Sequence, residues 1–174
     1  MKLMSSLMPD PSSLWGCSVY NHETSGETFR HGFELCVVAR DLADATVTKA
    51  VSATGDTFLV NLPAALSSSD VSRARAVTKS SWYMLSGSHR TSTLLLKLKS
   101  GPAARFRSIL AKVVSCGEQI AILLNGEVIG VLMFHHQLAG DEIAIDASFF
   151  SDGTEKEKES DTRNLAQQIN STLY

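Results

Sequence analysis

No stretch of this chain approaches the roughly 20 consecutive apolar residues that carry a helix across a bilayer, so no helical membrane span is expected in it. An excess of positive charge is missing as well: 16 Lys and Arg stand against 18 Asp and Glu, a formal net charge of -2. Arg73/Arg75 and Arg105/Arg107 are isolated pairs and form no basic block. That balance argues against a general nucleic-acid binder, which needs clustered cations along the phosphates. Cysteine is scarce, with Cys17, Cys36 and Cys116 alone. An odd number cannot make a fully paired intramolecular framework, and no C-x-x-C or Cys/His spacing suits zinc. There is no glycine-rich phosphate loop, since Gly117 and Gly126 fall where turns are needed, and no internal repeat.

What is present is an ordinary globular composition, 44% hydrophobic and 20% charged over 174 residues. That length fits one domain with a sizeable core. Residues 1–31 are polar and Ser-rich, and read as an N-terminal arm or linker, the remnant of a signal or anchor region; the domain proper is expected over 32–174. Cys17 follows Leu14-Trp15-Gly16, a faint likeness to a lipid-attachment box, but Asp10 and Pro11 break the apolar core such a leader needs. Any membrane attachment is therefore expected through this arm alone. Cys36 lies within an apolar strand and reads as a small core residue.

The most structured stretch is Leu94 to Ile145. Leu94, Leu96 and Leu98 share one face of a strand. A helix is expected from Pro102 to Val114, capped by Ser100 and ended by Gly117, with Phe106, Ile109, Leu110 and Val113 as its apolar stripe. Asn125-Gly126 between two apolar runs predicts a two-residue hairpin, because both central positions of a type I′ turn need positive φ. Upstream, strands are expected around Phe33–Val38, Thr46–Val51 and Thr57–Leu62, the last ended by Pro63. Ser67-Ser68-Ser69-Asp70 is read as capping a short helical turn through Val71 to Ala74, and Trp82-Tyr83-Met84-Leu85 as a fourth strand before a turn at Gly87-Ser88. Ile143, Ile145 and Ala147 alternate into a closing strand; the charged run near Glu155–Glu159 is a solvated flank leading to a last helix around Leu165, Ala166 and Ile169. The class is α+β: a mostly antiparallel sheet with two main helices packed on one face.

For chemistry the sequence offers little. His135-His136 are neighbours that point to opposite faces of a strand, which does not suit one metal. His22, Glu23, Glu27 and His31 sit in polar sequence interrupted by Gly26. Ser88-His89 has no elbow motif and no acid partner. Asp141-Glu142 and the acids near Glu155 lie in wet, charged sequence, whereas a catalytic carboxylate needs burial or a partner. No catalytic residue, metal site or cofactor is expected. Binding remains, and Trp82, Tyr83, Phe134, His135 and His136 are the candidate partner-binding residues, the aromatics serving as anchors where exposed and as core where not.

From about Gly32 to Asn170 the chain resembles the first periplasmic domain of the SecD subunit of the bacterial preprotein translocase, chiefly its head. Phe33-Glu34-Leu35 and Thr57-Phe58-Leu59-Val60 look like the family's opening strand pair. Leu66 to Val71 with Ala74 looks like its "alt-G-x-D-I-x-x-A" segment, with Ser in place of Gly. Leu94 to Leu98, Ala104, Phe106 and Leu110 match its strand and following helix. Gly117, Ile120-Ala121-Ile122 and Asn125-Gly126-Glu127-Val128-Ile129 resemble its "vG-x-x-iAIvlDGkViS" hairpin. Asp141 to Phe149 and Leu165-Ala166 look like its closing strand and final helix.

The resemblance implies a ferredoxin-like, SecD head-like fold in the periplasm or cell envelope, in the manner of small lipoproteins. It implies a non-enzymatic module that binds a protein or peptide, without translocase activity of its own, because the membrane helices that carry that work are not in this sequence. The alternative is an inhibitor or immunity-type protein that blocks a single partner; the alternative compartment is the cytoplasm.

Overall fold

The computed structural model describes residues 32–39, 47–83, 87–134 and 140–173, with the backbone alone at 80–83 and 87–89. The described elements are β1 (Phe33–Val37), β2 (Val47–Ser52), β3 (Thr57–Asn61), β4 (Leu66–Ser67), β5 (Val71–Tyr83), β6 (Gly87–Leu98), α1 (Ser100–Cys116), β7 (Ile120–Leu124), β8 (Glu127–Leu132), β9 (Glu142–Asp146) and α2 (Glu155–Ser171). They are α+β, as the periodicities imply, and the strands divide into two sheets. The first runs β3-β2-β8-β7-β1-β4 and is antiparallel except where β2 meets β8. The second is β5-β6-β9, antiparallel throughout.

The main core lies where the inner faces of both sheets meet both helices. Phe33, Leu35 and Val37 of β1 join Leu94, Leu96 and Leu98 of β6, Phe106, Leu110 and Val113 of α1, and Leu165 and Ile169 of α2. The alternate residues of the first sheet, Cys36, Ala121, Leu123 and Val128, turn to a second, smaller core with Ala50, Val60 and Leu62. This second core exists because the sheet coils until Val38 bridges Val60 of β3. Covered on both faces, β1 and β7 are near-continuous apolar runs. In β6 and β9 inward leucines and isoleucines alternate with half-exposed or exposed Leu95, Lys97, Glu142 and Ala144.

The helix expected at 102–114 extends over Ser100–Cys116, and its first turn differs from the sequence reading. Lys99, not Ser100, is the N-cap, because the Lys99 N–H donates to the Asp70 carbonyl at 2.9 Å and turns the chain one residue earlier. Asp70 fastens the same corner, accepting from Ser67 N at 2.9 Å and from Arg105 Nη2 at 2.9 Å. Gly117 ends the helix in the left-handed region, φ 62°. Asn125 and Gly126 both have positive φ, 53° and 84°, in the hairpin between β7 and β8.

Two local expectations are corrected. The helical turn covers only Ser68–Asp70, and Val71 to Ala74 are strand. A β-bulge between Val71 and Arg73 puts Val71 and Ala74 on the same buried face three residues apart, which imitates helical spacing. Trp82 and Tyr83 do not begin a strand of their own; they end the 13-residue β5, which pairs with β6 along its whole length.

Candidate partner-binding surfaces

Of the candidate residues, Phe134 is half-buried and packs edge-on against Phe106, with centroids 6.5 Å apart and planes at 76°. It belongs to the rim of the core and is no free anchor. Trp82 and Tyr83 are placed by their backbone at the far end of β5. His135 and His136 lie outside the described residues, as do Cys17 and the group His22, Glu23, Glu27 and His31. Ser88 and His89 stand in β6 and not in a turn. Asp141 and Glu142 are engaged on the surface, at 3.9 Å from Lys97 and 3.4 Å from Arg75. Among the described residues no three His, Cys, Asp or Glu side chains come together as metal ligands.

One buried acid escaped the sequence reading. Glu34, the only polar residue in β1, points with Cys36 toward the second core and is 3% exposed. Burial pushes the Cys36 thiol well above its ordinary range, and the Glu34 carboxylate adds to this. Cys36 is a free thiol with no nucleophilic character at neutral pH. Cys116, at the end of α1, is disulfide-bonded.

The second sheet leaves an edge open. Ala74 pairs with Leu96 of β6, yet its N–H donates to Asn170 Oδ1 at 2.9 Å and its carbonyl accepts from Asn170 Nδ2 at 2.8 Å. Both backbone groups of Ala74 therefore point outward, and the alternation of an antiparallel ladder turns those of 76, 78, 80 and 82 the same way. The amide of Asn170, near the end of α2, fills the place of a neighbouring strand at one rung. Beyond it, no described strand pairs with the outer edge of β5.

The face that flanks this edge is charged. Side chains at odd positions of β5 point away from the core, so exposed Arg73, Arg75 and Lys79 line one side of the strand. Arg75 reaches across β6 to Glu142 of β9. Among the described residues neither Arg73 nor Lys79 has an ion-pair partner. The acids of this face stand on the opposite strand, as Glu142 and Asp146. A period-two pattern of basic residues, Arg73-Ala74-Arg75, was the signal available in the sequence; the bulge beside it concealed the strand.

No protein-family model matches the chain, and neither does any curated protein. Solved structures do. One, described as the crystal structure of SecDF in super-membrane-facing form, matches with a TM-score of 0.52 at 15% identity, over 81% of this chain and 19% of its own. Another, of SecDF described as a membrane component that enhances protein export, matches with a TM-score of 0.50 at 16% identity, over 82% of this chain and 63% of its own. The fold is that of a SecD-like domain. Identity this low carries the fold alone, and the SecD-like chain spans less than two thirds of either protein. Among its described residues no helix is long and apolar enough to cross a membrane.

Proposed function

We propose that this SecD-like chain is a non-catalytic module of the cell envelope that binds an extended segment of a protein or peptide, with no cofactor and no nucleic-acid partner. The observation that carries the reading is the outer edge of β5, where successive N–H and C=O groups face outward beyond the single rung held by Asn170. Such an edge accepts an added strand through main-chain bonds, which gives affinity for polypeptide without demanding one sequence. Two further facts support it. SecDF, which shares the fold, is described as enhancing protein export. The bonded state of Cys116 suits an oxidising compartment, where disulfides form and persist. Attachment to a membrane, in this reading, is the work of the N-terminal arm.

The full chain should be titrated with a reduced, iodoacetamide-alkylated secretory polypeptide that cannot fold, followed by fluorescence anisotropy. A saturable rise is expected. No binding up to high protein concentration would refute the reading. Turnover of any substrate, abolished by a single Ser, His or carboxylate substitution, would refute its non-catalytic part.

A further inference from the structure

We infer that the segment received on the β5 edge is acidic, with carboxylates at alternating positions, and that it pairs with β5 from Ala76 onward. This rests on the polypeptide-binding reading above and specifies its site and ligand class. The register follows from Asn170, which occupies the outward groups of Ala74 and leaves Ala76 and Thr78 as the next rungs. The charge follows from the side chains beside those rungs. An added strand presents every second side chain to the face that carries Arg75 and Lys79, directly across from them. Of the cations on this strand, Arg75 already meets Glu142, at 3.4 Å in an exposed pair, and Arg73 lies beyond the rung held by Asn170, so Lys79 is the charge left to complement beside the added strand.

A second copy of this chain fits the same edge poorly. An antiparallel β5–β5 pairing through Ala76 and Thr78 would set Arg75 of each copy against Lys79 of the other, and cations on an edge strand are a known barrier to self-pairing. The acidic β9 of another copy offers only the five residues Glu142–Asp146, and joining it to β5 would be a head-to-tail contact, which leaves a further β5 edge and a further β9 edge to be covered in turn. An acidic strand from a different protein meets neither obstacle.

The test uses the full chain and three short labelled peptides in which threonine and valine alternate with glutamate, glutamine or lysine. The glutamate peptide should bind at least about tenfold more tightly than the other two, and less tightly as salt is raised. Amide exchange at Ala76 and Thr78 should slow when it binds. Thr78→Pro removes an outward N–H without taking a bond from the β5–β6 ladder, a position where an edge strand tolerates proline, and should abolish binding. Lys79→Glu, on the exposed face, should weaken it about tenfold even if the proline variant fails to fold.

Binding of the glutamate peptide that both variants leave intact would overturn the inference, as would equal or tighter binding of the lysine peptide. If no short peptide binds while the unfolded polypeptide still does, the edge assignment falls and the binding module stands. If neither binds, both fall. Concentration-dependent self-association of the wild type that Thr78→Pro removes would give the edge to a second copy and overturn the inference.

Discussion

Phe106→Ala is the sharpest probe of how the helices and sheets are joined. Phe106 is fully buried in the core that it shares with Leu94, Leu96 and Leu98, and its ring meets Phe134 edge-on at 6.5 Å. Truncating a buried phenylalanine costs roughly 3–5 kcal/mol, the transfer of the ring plus the cavity it leaves. The aromatic pair accounts for about 0.5–1.5 kcal/mol of that. Against a total stability of about 5–15 kcal/mol for a domain, the variant sits near the edge of folding. At ~2–4 °C per kcal/mol for a chain of this size, a loss of ~4 kcal/mol lowers Tm by roughly 8–16 °C. Urea unfolding followed by circular dichroism should show a lower midpoint with an unchanged slope. A double-mutant cycle with Phe134→Leu should return a coupling of about 0.5–1.5 kcal/mol. A cost below ~1 kcal/mol for Phe106→Ala would mean that α1 turns another face to the sheets, and zero coupling would dissolve the ring pair.

Gly126→Val forces a β-branched residue into φ 84° and should destabilise the domain by about 1 kcal/mol or more, read as a lower Tm; an unchanged Tm contradicts the hairpin. Gly130→Ala would drive a Cβ into the carbonyl oxygen of Phe149, where the turn Ala147–Phe149 crosses β8, so urea unfolding should show a loss of about 1–3 kcal/mol or more, and a neutral result would displace that turn. Alkylation under native, non-reducing conditions should leave Cys36 unmodified; under denaturing, non-reducing conditions it should label Cys36 and spare Cys116, and labelling of Cys116 would show that it is reduced. Glu157 accepts from the Thr154 N–H at 2.6 Å, which holds its carboxyl below the ordinary 4.5. Because the folded value is the lower one, this contribution is present above 4.5 and is lost as pH falls through the depressed value. The stability difference between wild type and Glu157→Gln should therefore shrink in acid, and a difference independent of pH would remove the charged cap.

The sequence by itself determined the elements whose signals are local. The Asn125-Gly126 hairpin rests on backbone sterics that any fold must obey, the end of α1 on the left-handed conformation open to Gly117, and the helix face on the 3.6-residue recurrence of Phe106, Leu110 and Val113. These were legible because each is decided within a few residues, and they sufficed for the α+β class and for the SecD-like resemblance. Only the tertiary structure decided what depends on partners distant in the chain. The division into two sheets follows from which strands find each other, and the run Val71 to Ala74 became strand because a bulge against β6 reproduced helical spacing on a buried face. The burial of Glu34 follows only from the cover that β1 has on both faces. The open edge lay furthest from view. It is made by strand order, by Asn170 reaching back 96 residues to Ala74, and by the pleat that sets Arg73, Arg75 and Lys79 on one side. Sequence periodicity reports which side a residue faces, whereas an edge is defined by the strand that is not beside it.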